Sequence, residues 1–135
     1  MILIIGSNEE THSMYFYHVL KQRGYDVEFF DSRQYPSNLY INFKPEINDG
    51  NFVINGKKIC FKDIQGIYWR WFYGITQGET DDSYLNNIIY RERASAITSI
   101  FQSIECNWVN SYKAIEMHRS KTYQLNQMAK NNILF

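Results

Sequence analysis

The sequence places polar side chains directly after its first apolar run, at a position where α/β sheets bind ligands. Residues 2–5 are ILII, and residues 6–11 are GSNEET. In an open parallel sheet, ligands bind outside the carboxyl ends of the strands. Ser7, Asn8 and Glu9 are therefore candidate substrate-binding residues, in contact with a substrate held by an adjacent domain. The alternative is a polar loop that caps the first helix.

The chain offers a fourth candidate, Arg70, within the aromatic run GIYWRWF at residues 66–72. A guanidinium between Trp69 and Trp71 is costly in a strand unless it reaches a carboxylate, a phosphate or the edge of the sheet. We therefore expect Arg70 to be paired. The pairing is either structural, as a salt bridge or a cation–π contact, or functional, with an acidic substrate or a neighbouring domain.

The turn after the first strand does not match a dinucleotide-binding fingerprint. That fingerprint is GxGxxG, and here Asn8 and Thr11 occupy the second and third glycine positions. Glu9 and Glu10 would repel a pyrophosphate at the start of the helix. We therefore do not expect NAD or FAD, and without the glycines Asp31 is interpreted as a turn former.

Metal coordination and covalent catalysis have no matching residue pattern. His12 and His18 are six residues apart, which does not place two imidazoles on one helix face as metal ligands. Cys60 and Cys106 lack CxxC spacing and companion histidines, so we expect reduced core thiols. No serine lies in a GxSxG motif. We therefore assign no catalytic, cofactor-binding or metal-binding residue in this segment.

Length and composition fit one globular domain. The chain has 135 residues, of which 44% are hydrophobic and 17% aromatic. Lys plus Arg and Asp plus Glu are 14 each, so the basic excess of a nucleic-acid binder is missing. No apolar run approaches the ~20 residues of a membrane helix, and no signal-peptide pattern is present. We expect a cytoplasmic protein without nucleic-acid or membrane partners, whose surplus aromatic residues lie partly at a domain or subunit interface.

Alternating strand and helix patterns predict the framework that positions these residues. We predict strands at 2–5, 25–31, 66–72 and 107–109. A hairpin is predicted at 51–60 around Asn55-Gly56, and a loop at 73–81. Helices are predicted from Thr11 or Ser13 to Arg23, from Asp82 or Ser83 to about Glu105, and from Asn110 or Ser111 to Ala129. The expected fold is α/β and Rossmann-like, with a mostly parallel sheet flanked by helices and a small antiparallel hairpin flap. The apolar stripe of the long helix is core or dimer interface. The apolar end at 132–135 is typical of the start of a further strand, so we expect the chain to be truncated.

Four stretches in this order resemble one known family. They are residues 30–36 (FDSRQYP), residues 67–75 (IYWRWFYGI), the long helix with Glu92 and Arg93, and residues 108–115 (WVNSYKAI) continued by Lys121, Leu125 and Ala129. Together they resemble the N-terminal, pre-ATP-grasp part of ATP-grasp enzymes, and most closely the microviridin-type ribosomal peptide ligases, or graspetide synthetases. Trp71 stands where a second Arg is usual in that family.

The resemblance implies a role within a larger enzyme. A ligase of this family uses ATP and Mg²⁺ to activate a side-chain carboxylate of a precursor peptide, which a hydroxyl or an amine attacks to form an ester or amide. The residues that bind ATP and Mg²⁺ lie downstream in such proteins, so this segment is expected to bind neither. Residues 1–109 would form the pre-ATP-grasp domain, and residues 110–135 a helix leading into a C-terminal ATP-grasp domain. The expected partners are the precursor peptide, that ATP-grasp domain and a second copy in a homodimer.

A stand-alone binding or signalling module of flavodoxin-like or receiver-like shape is the alternative. Its motivation is the strand–helix–strand opening of the chain. A receiver requires paired acids after the first strand, and Glu9 and Glu10 meet that requirement poorly. Such a module would accept a phosphoryl group on an aspartate.

Overall fold

A computed structural model describes residues 1–76 and 80–133. In these ranges the strands are β1 Ile2–Ile5, β2 Val27–Phe30, β3 Leu39–Lys44, β4 Asp49–Ile54, β5 Lys57–Cys60, β6 Gly66–Trp69 and β7 Asn107–Val109. The α-helices are α1 Thr11–Gln22, α2 Ser83–Ser103, α3 Tyr112–Arg119 and α4 Lys121–Lys130. None of the helices in these ranges has the length and apolarity needed to cross a membrane.

A four-stranded parallel sheet in the order β2-β1-β6-β7 forms the centre of the fold. β1 pairs with β2 on one side and with β6 on the other, so that Ile5 lies beside both Phe30 and Trp69. Leu3, Ile4 and Ile5 are fully buried. An uninterrupted apolar run is what a strand with both faces covered requires, and the prediction of a central first strand is confirmed.

The flap is a three-stranded antiparallel sheet in the order β3-β4-β5. Asn55 and Gly56 make the turn between β4 and β5, with φ angles of 50° and 81°. Left-handed backbone at both central positions is the requirement of a type I′ turn, which Asn-Gly meets at little cost. The sequence predicted this hairpin, and β3 adds a third strand to it. Phe52 and Ile59 are buried in the common core, so the flap shares that core with the parallel sheet.

Aromatic rings join the two sheets to the long helix. Phe30 packs edge-on against Phe52 at 5.1 Å and against Phe101 of α2 at 5.0 Å between ring centroids. Trp69 lies 5.4 Å from the same Phe101 ring. Edge-to-face packing of this kind adds to the free energy of burying the rings. Trp69 is therefore a core residue, whereas Arg70 begins the segment outside the strand.

Only the C-terminal half of the α2 stripe enters the core. Ile97, Ile100 and Phe101 are buried, whereas Tyr84 and Leu85 are 74% and 42% exposed. The apolar pattern is continuous along the helix, but the burial is not. The interpretation of the stripe as core is confirmed for the C-terminal part of the helix, and its interpretation as a dimer interface stays a prediction.

The strand predicted at 66–72 ends at Trp69, because the backbone N–H groups of Arg70 and Trp71 both donate to the carbonyl oxygen of Ile5. The single helix predicted after residue 110 is wrong, since Ser120 ends α3 and caps α4 through its Oγ. Residues 77–79 of the expected loop and residues 134–135 of the expected apolar end lie outside the described residues.

Candidate functional site

The carboxyl ends of β1, β2 and β6 bring the sequence-predicted residues to one edge of the sheet. The chain leaves β1 for β2 on one side and later returns to β6 on the other side. The crevice between β1 and β6 is thus a topological switch point, the usual ligand-binding position of open α/β sheets. Residues 7–10 follow β1 and Arg70 follows β6 directly at this point.

Arg70 is paired across the switch point with Glu10. Its Nη2 lies 3.1 Å from Glu10 Oε1, and the two side chains are 32% and 21% exposed. The prediction that Arg70 is paired is confirmed. Glu10 also caps α1, because Oε2 accepts hydrogen bonds from the backbone N–H and the Oγ of Ser13, both at 2.7 Å. Oε1 accepts a further hydrogen bond from the backbone N–H of His12 at 3.2 Å.

The Glu10 carboxyl is held in its charged form. Partial burial acts to raise its pKa, but the hydrogen bonds from Ser13, His12 and Arg70 outweigh burial and lower the pKa from 4.5 to about 2. A helix N-terminus favours a negative charge for the same reason, since its free N–H groups point at the carboxylate. Glu10 thus fixes the start of α1 and the position of Arg70 together. The sequence indicated a capping loop here, with Glu10 unassigned.

A second arginine, Arg33, organises the adjacent part of the edge. Asp31 binds it in a two-point contact, with Oδ1 2.9 Å from Nε and Oδ2 2.5 Å from Nη2. Glu9 Oε2 lies 2.9 Å from the same Nη2, and the Tyr73 ring lies 4.4 Å from the guanidinium carbon. The hydrogen bonds that Arg33 donates to Asp31 and Glu9 raise the pKa of Arg33 above its usual range. The sequence analysis missed Arg33, although an acid at a strand end followed two residues later by Arg was a usable signal.

The four sequence-predicted residues therefore fall into different surroundings. Ser7 is fully buried, and its Oγ accepts hydrogen bonds from Arg33 Nη2 at 2.8 Å and from the Glu9 N–H at 3.1 Å. Glu9 is paired with Arg33, and Asn8 is exposed beside a small cavity of about 120 Å³ that Asp31 also lines. Arg70 contacts Glu10 instead. The structure brings Ser7 and Glu9 together around Arg33 and leaves Arg70 at the neighbouring switch point.

An open cleft of about 560 Å³ lies beyond Arg70, between the residues that follow β6 and helix α3. Arg70, Trp71, Ile115, His118 and Arg119 line it. The Nε of Arg70 is buried and has no hydrogen-bond partner in the described part of the chain. Trp71 exposes 56% of its surface. A volume of this size is in the range of ligand pockets in general.

Comparison of the chain with known protein families and solved structures identifies its family. The family model described as the MvdD pre-ATP grasp domain matches residues 1–116. The chain belongs to this family. No curated protein matches the chain at a significant level.

Solved structures share the fold of this pre-ATP-grasp domain. Macrocyclase MdnB from Microcystis aeruginosa MRC superimposes with a TM-score of 0.82 at 14% identity, over 96% of this chain and 43% of that chain. A Chryseobacterium gregarium RiPP-associated ATP-grasp ligase, solved with ADP and a leader and core peptide, gives 0.78 at 22% identity over 96% and 40%. The ATP-grasp ligase PsnB with a minimal precursor gives 0.69 at 18% over 96% and 43%. The chain thus spans less than half the length of these proteins.

Metal-ligating clusters are not found in the described ranges of this pre-ATP-grasp domain, where no three His, Cys, Asp or Glu side chains group together. Cys60 and Cys106 are free thiols, each partly buried. Burial raises the pKa of the Cys106 thiol. Cys106 packs against the core from a partly buried position, and neither cysteine lines the Arg70 cleft.

Proposed function

We propose that the chain is the N-terminal, substrate-positioning domain of an ATP-dependent carboxylate–amine or carboxylate–alcohol ligase that modifies or macrocyclises a ribosomally made peptide. The observation that carries this proposal is the family match over residues 1–116. Several of the similar structures were solved with peptides, among them MdnC with the precursor MdnA and the C. gregarium ligase with a leader and core peptide. Arg70 at the switch point supports a role in holding an acidic part of such a peptide.

ATP and Mg²⁺ would act in the longer protein, where they supply the activation of a peptide carboxylate before a hydroxyl or amine attacks it. Similar structures contain Mg with ADP, or AMPPNP. The three acids at the carboxyl edge of the sheet do not fit Mg²⁺, because Glu9 and Asp31 are bound to Arg33 and Glu10 is bound to Arg70. Carboxylates held by arginines are poor ligands for a hard cation. We assign this domain the tasks of binding and orienting the peptide.

The proposed roles of the candidate residues follow from their contacts. Arg70 would bind an acidic side chain of the peptide, and the exposed amide of Asn8 would bind its backbone. Ser7 and Glu9 would act through Arg33, whose position they fix. These roles make Arg70 and Asn8 the residues in contact with the substrate.

Expression of a longer reading frame that contains residues 1–135 tests the proposal. The encoded protein, given ATP, Mg²⁺ and a precursor peptide encoded next to it, should form one ADP and one phosphate for each new bond. The carboxylate oxygen leaves in that phosphate, so the peptide becomes lighter by the mass of one water for each bond, which mass spectrometry detects. A short Thr/Asp/Glu-rich frame next to the gene is the expected source of that peptide. A longer frame without the paired lysines and acids of an ATP-grasp domain, or without ADP formation, would exclude the ligase.

We further propose that the parent is a cytoplasmic homodimer. The exposed side chains of Tyr84, Leu85 and Ile88 on the first turns of α2 support an interface between copies. Sedimentation velocity should give a dimer for the parent and a monomer for the Leu85→Glu, Ile88→Glu double variant. A parent that sediments as a monomer contradicts the homodimer, and fractionation of cells that express a tagged parent tests its location.

A further inference from the structure

The cleft between β6 and α3 has an uneven charge. Arg70 and Arg119 line it together with His118, and none of its lining residues in the described part of the chain carries a carboxyl group. Two carboxylates touch these arginines from outside the cleft, Glu10 on Arg70 and Glu116 on Arg119. The inner surface of the cleft therefore favours a negatively charged group.

Both arginines keep donors for such a group. Arg70 uses Nη2 for Glu10, and its buried Nε has no partner among the described residues. The Arg70 side chain as a whole is 32% exposed and lines the cleft, so its accessible N–H groups can donate to an acceptor that enters there. Arg119 lies 3.8 Å from Glu116, which is too long for a hydrogen bond, and both side chains are at least half exposed. The N–H groups of Arg119 are thus available to bind an anion in the cleft in addition to Glu116.

Most of the other lining residues are apolar. Trp71 has an exposed indole ring, and Trp69, Phe72, Ala114 and Ile115 line the cleft with it, together with the polar Asn110. A phosphate ion would leave this surface uncovered, whereas a peptide can place a carboxylate on the arginines and a neighbouring apolar side chain on Trp71. The adjacent cavity beside α2 is lined by both Lys113 and Glu116, so it has no comparable preference for anions.

The geometry points to a subsite for an acidic residue of a peptide, in which Arg70 and Arg119 bind the carboxylate and Trp71 packs against the adjacent apolar residue. This inference rests on the proposed function for the source of the peptide. The binding chemistry itself depends on residues of this chain alone. Asn110 fixes the position of the cleft lining at the end of β6, since its side-chain amide donates a hydrogen bond to the carbonyl oxygen of Trp69 at 3.3 Å.

Binding of a defined peptide to the 135-residue chain tests the subsite. The probe is an acetylated and amidated tetrapeptide, Phe-Glu-Asp-Glu, titrated into ¹⁵N-labelled protein. We expect saturable shifts of the Trp71 indole N–H and of the backbone amides of Ile115 and His118, with the indole signal assigned through Trp71→Phe. The same peptide with Gln and Asn in place of its acids should bind about tenfold more weakly or not at all.

Two variants and a matched control separate charge from folding. Arg70→Gln should weaken binding about tenfold and Arg119→Gln about fivefold. Arg91→Gln, which removes an exposed arginine on α2 outside the cleft, should leave binding unchanged. Circular dichroism of each variant checks the fold, and Arg119 is exposed enough for its variant to remain folded.

Three results overturn the subsite: equal binding of the neutral peptide, an equal loss of binding in the Arg91 variant, or displacement of the peptide by inorganic phosphate or ATP at matching concentration. The ligase proposal is tested separately. ADP formation by the longer protein without peptide binding in the cleft removes the subsite alone. Peptide binding in the cleft without ATP-dependent water loss in the longer protein removes the ligase alone.

Discussion

Two arginines hold the carboxyl edge of the parallel sheet, and they differ in how many donors they leave open. Arg33 uses Nε and Nη2 for Asp31, Glu9 and Ser7, and Tyr73 lies over its face. Arg70 has one carboxylate partner and a buried Nε without one. A saturated guanidinium stabilises the fold, whereas an incompletely paired one is available for recognition. Arg33 is therefore the structural residue of the pair.

Loss of Arg33 should destabilise the domain more than loss of an ordinary surface cation. Arg33→Gln leaves the nearly buried Asp31 carboxylate without its two-point partner, so the free energy of unfolding should fall by about 2 kcal/mol. Lys21→Gln is the control, because Lys21 and Asp26 are both well exposed and their salt bridge is worth about 0.5 kcal/mol or less. Urea denaturation followed by tryptophan fluorescence measures the free energy of unfolding of both variants. Equal losses would show that the Arg33 cluster is an ordinary surface network.

Glu10 should make stability depend on pH in the acidic range. Its pKa is about 2 in the folded chain against 4.5 for the free group, so its contribution is complete above pH 4.5 and is lost as the pH falls toward about 2. Glu10→Gln should lower stability at neutral pH by about 1 kcal/mol, because it removes a charged helix cap and the partner of Arg70. The difference from the unaltered chain should shrink as the pH falls through this window.

Urea midpoints measured across that pH range check the Glu10 prediction. Glu105→Gln serves as the control, since Glu105 is an exposed acid beyond the end of α2. A difference between Glu10→Gln and the unaltered chain that stays constant down to the acid limit contradicts a charged Glu10 cap.

At the scale of elements, the flap depends on two glycines for different reasons. A Cβ on Gly50 would lie 2.3 Å from the Asn42 carbonyl oxygen and 2.7 Å from the Phe61 ring, so β3 and β4 would have to separate. Gly50→Ala should therefore cost about 3 kcal/mol. Gly56 has open space around it but a φ of +81°, and Gly56→Ala should cost about 1 kcal/mol through backbone strain alone.

Thermal unfolding ranks these variants against Gly66→Ala in β6. A Cβ on Gly66 would lie 3.4 Å from the carbonyl oxygen of Asn107, and the backbone at Gly66 does not have a positive φ. Gly66→Ala should therefore change the free energy of unfolding by no more than about 0.5 kcal/mol. Gly50→Ala as stable as Gly66→Ala would contradict the close approach of β3 and Phe61 to β4.

Local patterns predicted most of the elements but not the contacts between them. The apolar run of β1, the Asn55-Gly56 turn and the cap at Asp82 are each specified within a few residues, and all three are present. The break at Ser120 was missed, because the helical pattern continues across it on both sides. Glu10 and Arg70 are 60 residues apart, so only the strand order brings them together. The contacts of Arg33 with Ser7 and Glu9 were missed for the same reason, whereas its contact with Asp31 is local.

At the scale of the whole molecule, the sheet edge argues against the receiver-like alternative. The chain shares its opening β1–α1–β2 unit with receivers. A receiver needs acids that are free to bind a cation and accept a phosphoryl group, but Glu9, Glu10 and Asp31 are each bound to an arginine. Incubation with a small phosphodonor should give no gain in mass on Asp31, and phosphorylation there would restore the alternative.

Nucleotide binding should distinguish this domain from the longer ligase that we propose. The sheet edge carries no glycine-rich phosphate loop, and Glu9 and Glu10 are the charged residues that precede α1, where a phosphate would otherwise bind the free N–H groups. ATP with Mg²⁺ titrated into the 135-residue chain should therefore give no saturable heat in calorimetry. The longer protein should bind ATP under the same conditions, which serves as the positive control. Micromolar binding to the 135-residue chain, lost in Arg70→Gln, would place the nucleotide in the cleft beside α3 and assign this domain a direct part in the activation of the carboxylate.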